Sequence, residues 1–144
     1  MIKQVHHVAI LTKDIEQAIR HYVDLLGCEE KEPATVEKPG LHWRTVLLPV
    51  GNGTTAIQLI EPHEGPGVEE LRRGGEGALF EIGFHCEDVE TFGDHLGKRE
   101  IPPSDLLEEP LQEPYLTSKF GNRYYIVPRK RSRGTRLEFV QFCN

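Results

Sequence analysis

No run in the 144-residue chain is apolar for the roughly 20 residues that a membrane-crossing helix needs. Cysteine is scarce: Cys28, Cys86 and Cys143 are odd in number, widely spaced and free of any metal-finger pattern. That argues against a disulfide framework and for reduced thiols in a cytosolic compartment. Positive charge does not predominate, since 17 Lys and Arg stand against 23 Asp and Glu, for a net charge of −6. A nucleic-acid-binding surface is therefore not expected as the main activity. The opening "MIKQVHHVAI" lacks the apolar core of a signal peptide, so the expected location is the cytoplasm. What is present is an ordinary globular composition, 38% hydrophobic and 28% charged. Such a length suits a single domain, 1–144, built of two small modules.

The order of elements suggests those modules. "QVHHVAIL" (residues 4–11) reads as a strand leading to a helix from Asp14, a suitable N-cap. Ile15, Ala18, Ile19 and Tyr22 recur at helical spacing, and Gly27 supplies a stop. After a loop (Pro33 to Gly40), "HWRTVLLPV" and "TTAIQLIEP" flank the turn "GNG" as a hairpin. The pattern then restarts. After the Gly-rich "RRGGEGA", the strand "LFEIGFH" leads to a second N-cap at Asp88 and a helix carrying Val89, Phe92 and Leu96, with Gly97 near its end. "NRYYIVPRK" and "TRLEFVQF" close the chain as two more strands.

Asp14, Ile15 and Glu16 overlie Asp88, Val89 and Glu90, and His21 overlies His95, all at one offset. Arg44 and Pro49 overlie Arg123 and Pro128 at a slightly larger one. The expected class is α+β, with two βαβββ modules (about 1–65 and 77–144) forming a cup-shaped mixed sheet. One middle strand in each module leaves no clear signal.

Strand alternation isolates four polar residues. Val8 and Ile10 pack one way and His7 points the other; Ile57 and Leu59 pack, and Gln58 faces away. Phe80, Ile82 and Phe84 pack opposite Glu81, and Leu137 and Phe139 pack opposite Glu138. Under the repeat, His7 falls on Glu81 and Gln58 on Glu138. An imidazole, an amide oxygen and two carboxylates suit a divalent first-row cation. Each taken singly is better read as a polar residue on a solvated sheet face. Four at symmetric places favour a shared site.

The stretches "HHVAILTKDIEQAIRHYVDLLG", "AIQLIEP", "YIVPRK" and "RLEFVQF" resemble the vicinal oxygen chelate superfamily, which includes glyoxalase I and methylmalonyl-CoA epimerase. The last two lean toward the epimerase branch. The resemblance implies one divalent metal ion (Co, Ni, Zn, Mn or Fe), held by His7, Gln58, Glu81 and Glu138. The epimerase pattern is His, Gln, His, Glu, so Glu81 departs from it. "GLHWRT" also lacks the carboxylate that some epimerases place there as a base. The implied chemistry is proton removal next to a carbonyl by an epimerase, isomerase or glyoxalase-type lyase. Glu138 is the first choice of base and Glu81 the second.

His42, Arg44 and Arg123 alternate onto strand faces and read first as rim or surface charges; if those faces line the cup, they would bind an anionic group of a carbonyl or acyl-CoA substrate. The cationic run "RKRSRGTR" reads as a solvated hairpin turn, or as a contact for the phosphates of a CoA thioester. His85 lies roughly 13 Å along the strand face from Glu81, at the rim or in solvent. A homodimer is expected, without nucleic-acid or membrane partners. The alternatives are a binding or sequestering protein of the same fold and, ranked last, a ring-cleaving dioxygenase.

Overall fold

Two aspartates start the two principal helices in the same way. Asp14 and Asp88 both hold extended backbone (φ −146° and −147°), and each carboxylate accepts from the amide three residues on, Gln17 and Thr91, at 3.1 Å. These bonds satisfy amide groups that have no partner inside a helix. For Asp88 the Thr91 amide also holds the carboxyl below its ordinary range. The computed structural model describes residues 1–143.

In the first module β1 (Ile2–Leu11) leads to α1 (Ile15–Leu26), then β2 (Ala34–Lys38), β3 (Leu41–Val50) and β4 (Thr55–Glu64). After α2 (Val68–Gly74), the second module runs β5 (Leu79–Cys86), α3 (Val89–Gly97), β6 (Leu116–Thr117), β7 (Arg123–Val127) and β8 (Arg136–Gln141). The βαβββ order is thus present twice. The middle strands that left no sequence signal are β2 and β6. Each pairs on one side only, and β2 buries little, with Val36 alone half-buried. A strand that packs no face against a core needs no apolar alternation, which is why it was invisible. Likewise α2 occupies part of a stretch expected to be loop.

The chain divides into two compact units, one of His7–Phe80 and one of Met1–His6 with the chain from Glu81 onward. In the first, β1 runs parallel to β4, with β3 and β2 added antiparallel beyond. Ile15, Ala18 and Ile19 of α1 pack on Val46, Leu48 and Leu59. α1 ends at Gly27, whose left-handed backbone (φ 69°) lets its amide return to the Val23 carbonyl. In the second unit β5 runs parallel to β8, with β7 and β6 beyond. Val89 and Phe92 of α3 pack on Tyr125, Val127 and Phe139. Burial pushes the Tyr125 phenol up to about 12, so it stays a donor, and it donates to the Ile101 carbonyl. Cys86 is also pushed up by burial and behaves as core.

Each helix is also tied to its sheet by a polar side chain. Glu61 of β4 accepts from the Ile15 amide at 2.8 Å, and Gln141 of β8 accepts from the Val89 amide at 3.0 Å. The buried Glu61 additionally meets His63 Nε2 at 2.6 Å and Arg44 at 3.7 Å. Glu61→Ala should therefore cost about 1–3 kcal/mol, because the Ile15 amide loses a buried acceptor. Urea denaturation checks this; a loss under about 0.5 kcal/mol would show that water replaces the carboxylate.

Candidate metal centre

The second unit brings two of the four candidate donors together. β5 and β8 are parallel, with Glu81 opposite Arg136 and Gly83 opposite Glu138. Residues two apart on a strand share a face, so Glu81, Arg136 and Glu138 lie on the side away from Phe84, Leu137 and Phe139. A carboxylate oxygen of Glu81 and one of Glu138 lie within 4.8 Å of each other. Glu81 is only 3% exposed and Glu138 is half-buried. The face is therefore not the solvated one that the simplest reading of isolated polar residues requires.

Arg136 is the functional neighbour that sequence reasoning missed. It is 1% exposed, its Nε donates to Glu81 Oε1 at 2.8 Å, and its Nη1 donates to the Leu106 carbonyl at 2.9 Å. The loop presenting that carbonyl is braced in two ways. The Asp105 carboxylate accepts from the Leu107 and Glu109 amides, and Glu108 forms a bidentate ion pair with Arg129. The "RKRSRGTR" run is thus not simply a solvated turn. Arg129 and Arg136 carry internal ion pairs, and Arg131 donates to the Glu100 carbonyl. The available signal was alternation: Arg136 stands two residues before Glu138 on one strand.

The first unit holds the other two candidates. His7 pairs with Ala56 and Ala9 with Gln58, so His7 and Gln58 share one sheet face. His7 is 4% exposed and Gln58 half-buried. Gln58 has a defined orientation. Thr45 Oγ1 gives its proton to the Leu59 carbonyl at 2.9 Å, so it must accept from Gln58 Nε2 at 3.1 Å. That turns the amide nitrogen to Thr45 and leaves the amide oxygen for another partner, as a metal ligand's supporting hydrogen bond does. The registers match between modules: His7 opposite Ala56 corresponds to Glu81 opposite Arg136. Where the first module has His and Ala, the second has an acid and a base that neutralise each other.

The residues expected to bind a substrate anion already have partners of their own. Arg44 pairs with Glu61 across β3 and β4 and forms a bidentate ion pair with Glu16 of α1. It therefore lies on the side covered by the helix, opposite to Gln58, and holds the Glu16 carboxyl below its ordinary range. Arg123 likewise lies on the helix side in the second unit, 3.9 Å from Glu90 of α3 and over the Tyr115 ring. Alternation alone does not assign such residues to one face, because charged side chains also occur on the helix side, where a helix glutamate partners them. His42 places its ring 5.1 Å from that of His63, at the Glu61 end of β4. His85 is half-buried and packs edge-on against Phe142, beyond simple solvent exposure.

Asp14, Glu16 and Glu61 form a second acidic group, with carboxylate oxygens within 4.8 Å. Each already meets a backbone amide or Arg44, so the group anchors α1.

The donor set passes the elementary test for a divalent cation. Glu81, buried, and Glu138, half-buried, carry two negative charges within 4.8 Å of each other, and Arg136 offsets one of them. A net negative charge remains on that face of the second unit, and carboxylate oxygens are donors that suit such an ion.

Comparison with known proteins agrees with this architecture. Residues 6–105 match the family model described as Glyoxalase/Bleomycin resistance protein/Dioxygenase superfamily. A search of curated protein sequences finds no match. Among solved structures, methylmalonyl-CoA epimerase from Mycobacterium tuberculosis is similar with a TM-score of 0.76 at 21% identity, over 99% of this chain and 90% of that one. A single-residue variant of Streptomyces coelicolor methylmalonyl-CoA epimerase, in complex with 2-nitronate-propionyl-CoA, gives 0.75 at 20% identity over 100% of both chains. A hypothetical protein from Bacillus halodurans gives 0.68 at 18% identity, over 98% of this chain and 95% of that one. Among the described residues no helix is long and apolar enough to cross a membrane. With the repeated βαβββ order and a family match over most of its length, the chain belongs to the Glyoxalase/Bleomycin resistance protein/Dioxygenase superfamily.

Proposed function

We propose that the chain is a metal-dependent epimerase, isomerase or lyase that removes a proton from carbon next to a carbonyl. In this reading His7, Gln58, Glu81 and Glu138 hold one divalent ion. The observation that carries it is the close approach of Glu81, buried, and Glu138, half-buried, with carboxylate oxygens within 4.8 Å. Two carboxylates this close offer oxygen donors that one divalent cation can bridge. The oriented amide of Gln58 supports the same reading. A metal bound there would act as a Lewis acid toward a substrate carbonyl oxygen.

The chain's own residues divide the remaining work. Glu138 is the proton acceptor in this reading, because one oxygen of Glu81 is already engaged by Arg136. Thr45 holds the Gln58 amide in one orientation, and Arg136 holds Glu81. Arg44 and Arg123 are left out of substrate binding, since helix glutamates engage both. The substrate class proposed is an acyl-CoA thioester or a 2-oxo hemithioacetal. The epimerase neighbours, one in complex with methylmalonyl-CoA and NH4+, favour the thioester.

Elemental analysis after reconstitution should find about one divalent ion per chain, with anomalous scattering at these four side chains. Absence of metal from that position would refute the reading. A binding protein without chemistry is the second reading, favoured by the way Arg136 already meets the Glu81 charge. Ligand binding indifferent to chelator would select it.

A further inference from the structure

Resting on that reading, we infer that Arg136 is a resident cation of the site, a positioning residue that holds Glu81 and lowers the affinity for a divalent ion. Its guanidinium Nε sits 2.8 Å from Glu81 Oε1, and both side chains are almost fully buried. Any cation bound through Glu81 therefore shares that carboxylate with a fixed positive charge. The pairing is built in from both sides. The Glu81 and Arg136 backbones face each other across parallel strands, and Nη1 is tied to the Leu106 carbonyl at 2.9 Å. That carbonyl belongs to the loop braced by Asp105 and by the Glu108–Arg129 ion pair.

The equivalent register position in the first module is Ala56, which faces His7. An imidazole there faces an alanine, and a carboxylate here faces a guanidinium. Counted together, Glu81, Glu138 and Arg136 carry one net negative charge, as a set with a single carboxylate would. The arginine lets a second carboxylate stand beside Glu138 without making the site a strong metal trap.

Two effects of removing Arg136 oppose each other. Losing a hydrogen bond that orients Glu81 weakens metal binding by about tenfold to a hundredfold. Losing a unit positive charge beside a dication strengthens it by several powers of ten at an effective dielectric of about 20. The charge effect wins.

The test is a calorimetric titration with Co2+ at fixed pH of the full chain stripped of metal. Arg136→Met should bind Co2+ at least about tenfold more tightly than wild type, and its thermal transition should rise further on adding the ion. Equal or weaker binding would overturn the role of Arg136, since a merely structural arginine predicts a loosened site. Should Arg136→Met fold poorly without metal, Glu81→Gln/Arg136→Met removes both charges together. Its affinity should stay within about tenfold of wild type. A loss beyond a hundredfold would mean that the Glu81 charge counts in full and would also overturn the inference. No Co2+ binding by wild type or either variant would refute both the metal reading and the inference. Binding by wild type without tightening in Arg136→Met would refute the role of Arg136 alone. Binding seen only in the variant would uphold that role and remove the metal from the native protein.

Discussion

Glu138→Gln is expected to slow proton exchange at the substrate carbon by about 10²–10⁴-fold, the usual contribution of a positioned acid–base group. Glu138 is half-buried on β8, faces Gly83 across the parallel pair, and has Ile126 opposite on β7. The position opposite it on β5 carries no side chain. Glutamine preserves the volume and one oxygen but cannot take a proton. Deuterium incorporation from D2O into racemic acyl-CoA thioesters and 2-oxo hemithioacetals, followed by NMR, reads the step directly. Because Glu138 is also a proposed donor, bound metal must be measured on the same sample. Exchange within tenfold of wild type, with metal retained, would move the base to another residue. Full loss of metal would assign Glu138 to binding instead.

The repeat made much of this legible. The caps at Asp14 and Asp88 and the helix faces around Ile15 and Val89 follow from residue type and spacing alone. Symmetry by itself did not separate function from scaffold. Arg44 and Arg123 obey the repeat as strictly as His7 and Glu81 do, yet each is bound by the first-turn glutamate of its own helix. Glu61 and Gln141 also occupy matching places and serve as helix anchors. What distinguishes the donor candidates is the sheet face together with burial, and sequence reports the first more readily than the second. Glu81 and His7 lie at 3% and 4% exposure on a face that alternation alone would leave wet. Arg136 escaped notice for a similar reason. Its place at the end of a cationic run suggested solvent, although it is the largest fully buried side chain among the described residues.

The Glu81–Arg136 pair should also dominate stability in the metal-free protein. Arg136→Met alone leaves a buried carboxylate without its partner and is expected to cost about 3–5 kcal/mol. Glu81→Leu alone takes the carboxylate from the buried guanidinium and should cost a similar amount. Replacing both, Glu81→Leu/Arg136→Met, exchanges an ion pair for apolar side chains and should return stability to within about 1 kcal/mol of wild type or above it. Urea denaturation in the presence of chelator measures all four corners of the cycle. A coupling energy near zero, with each single change costing under about 1 kcal/mol, would show that water reaches the pair. The cycle bears on function because the two roles pull apart. If the apolar double variant is as stable as wild type, the ion pair is not needed to build the fold, as its proposed role at the metal site requires.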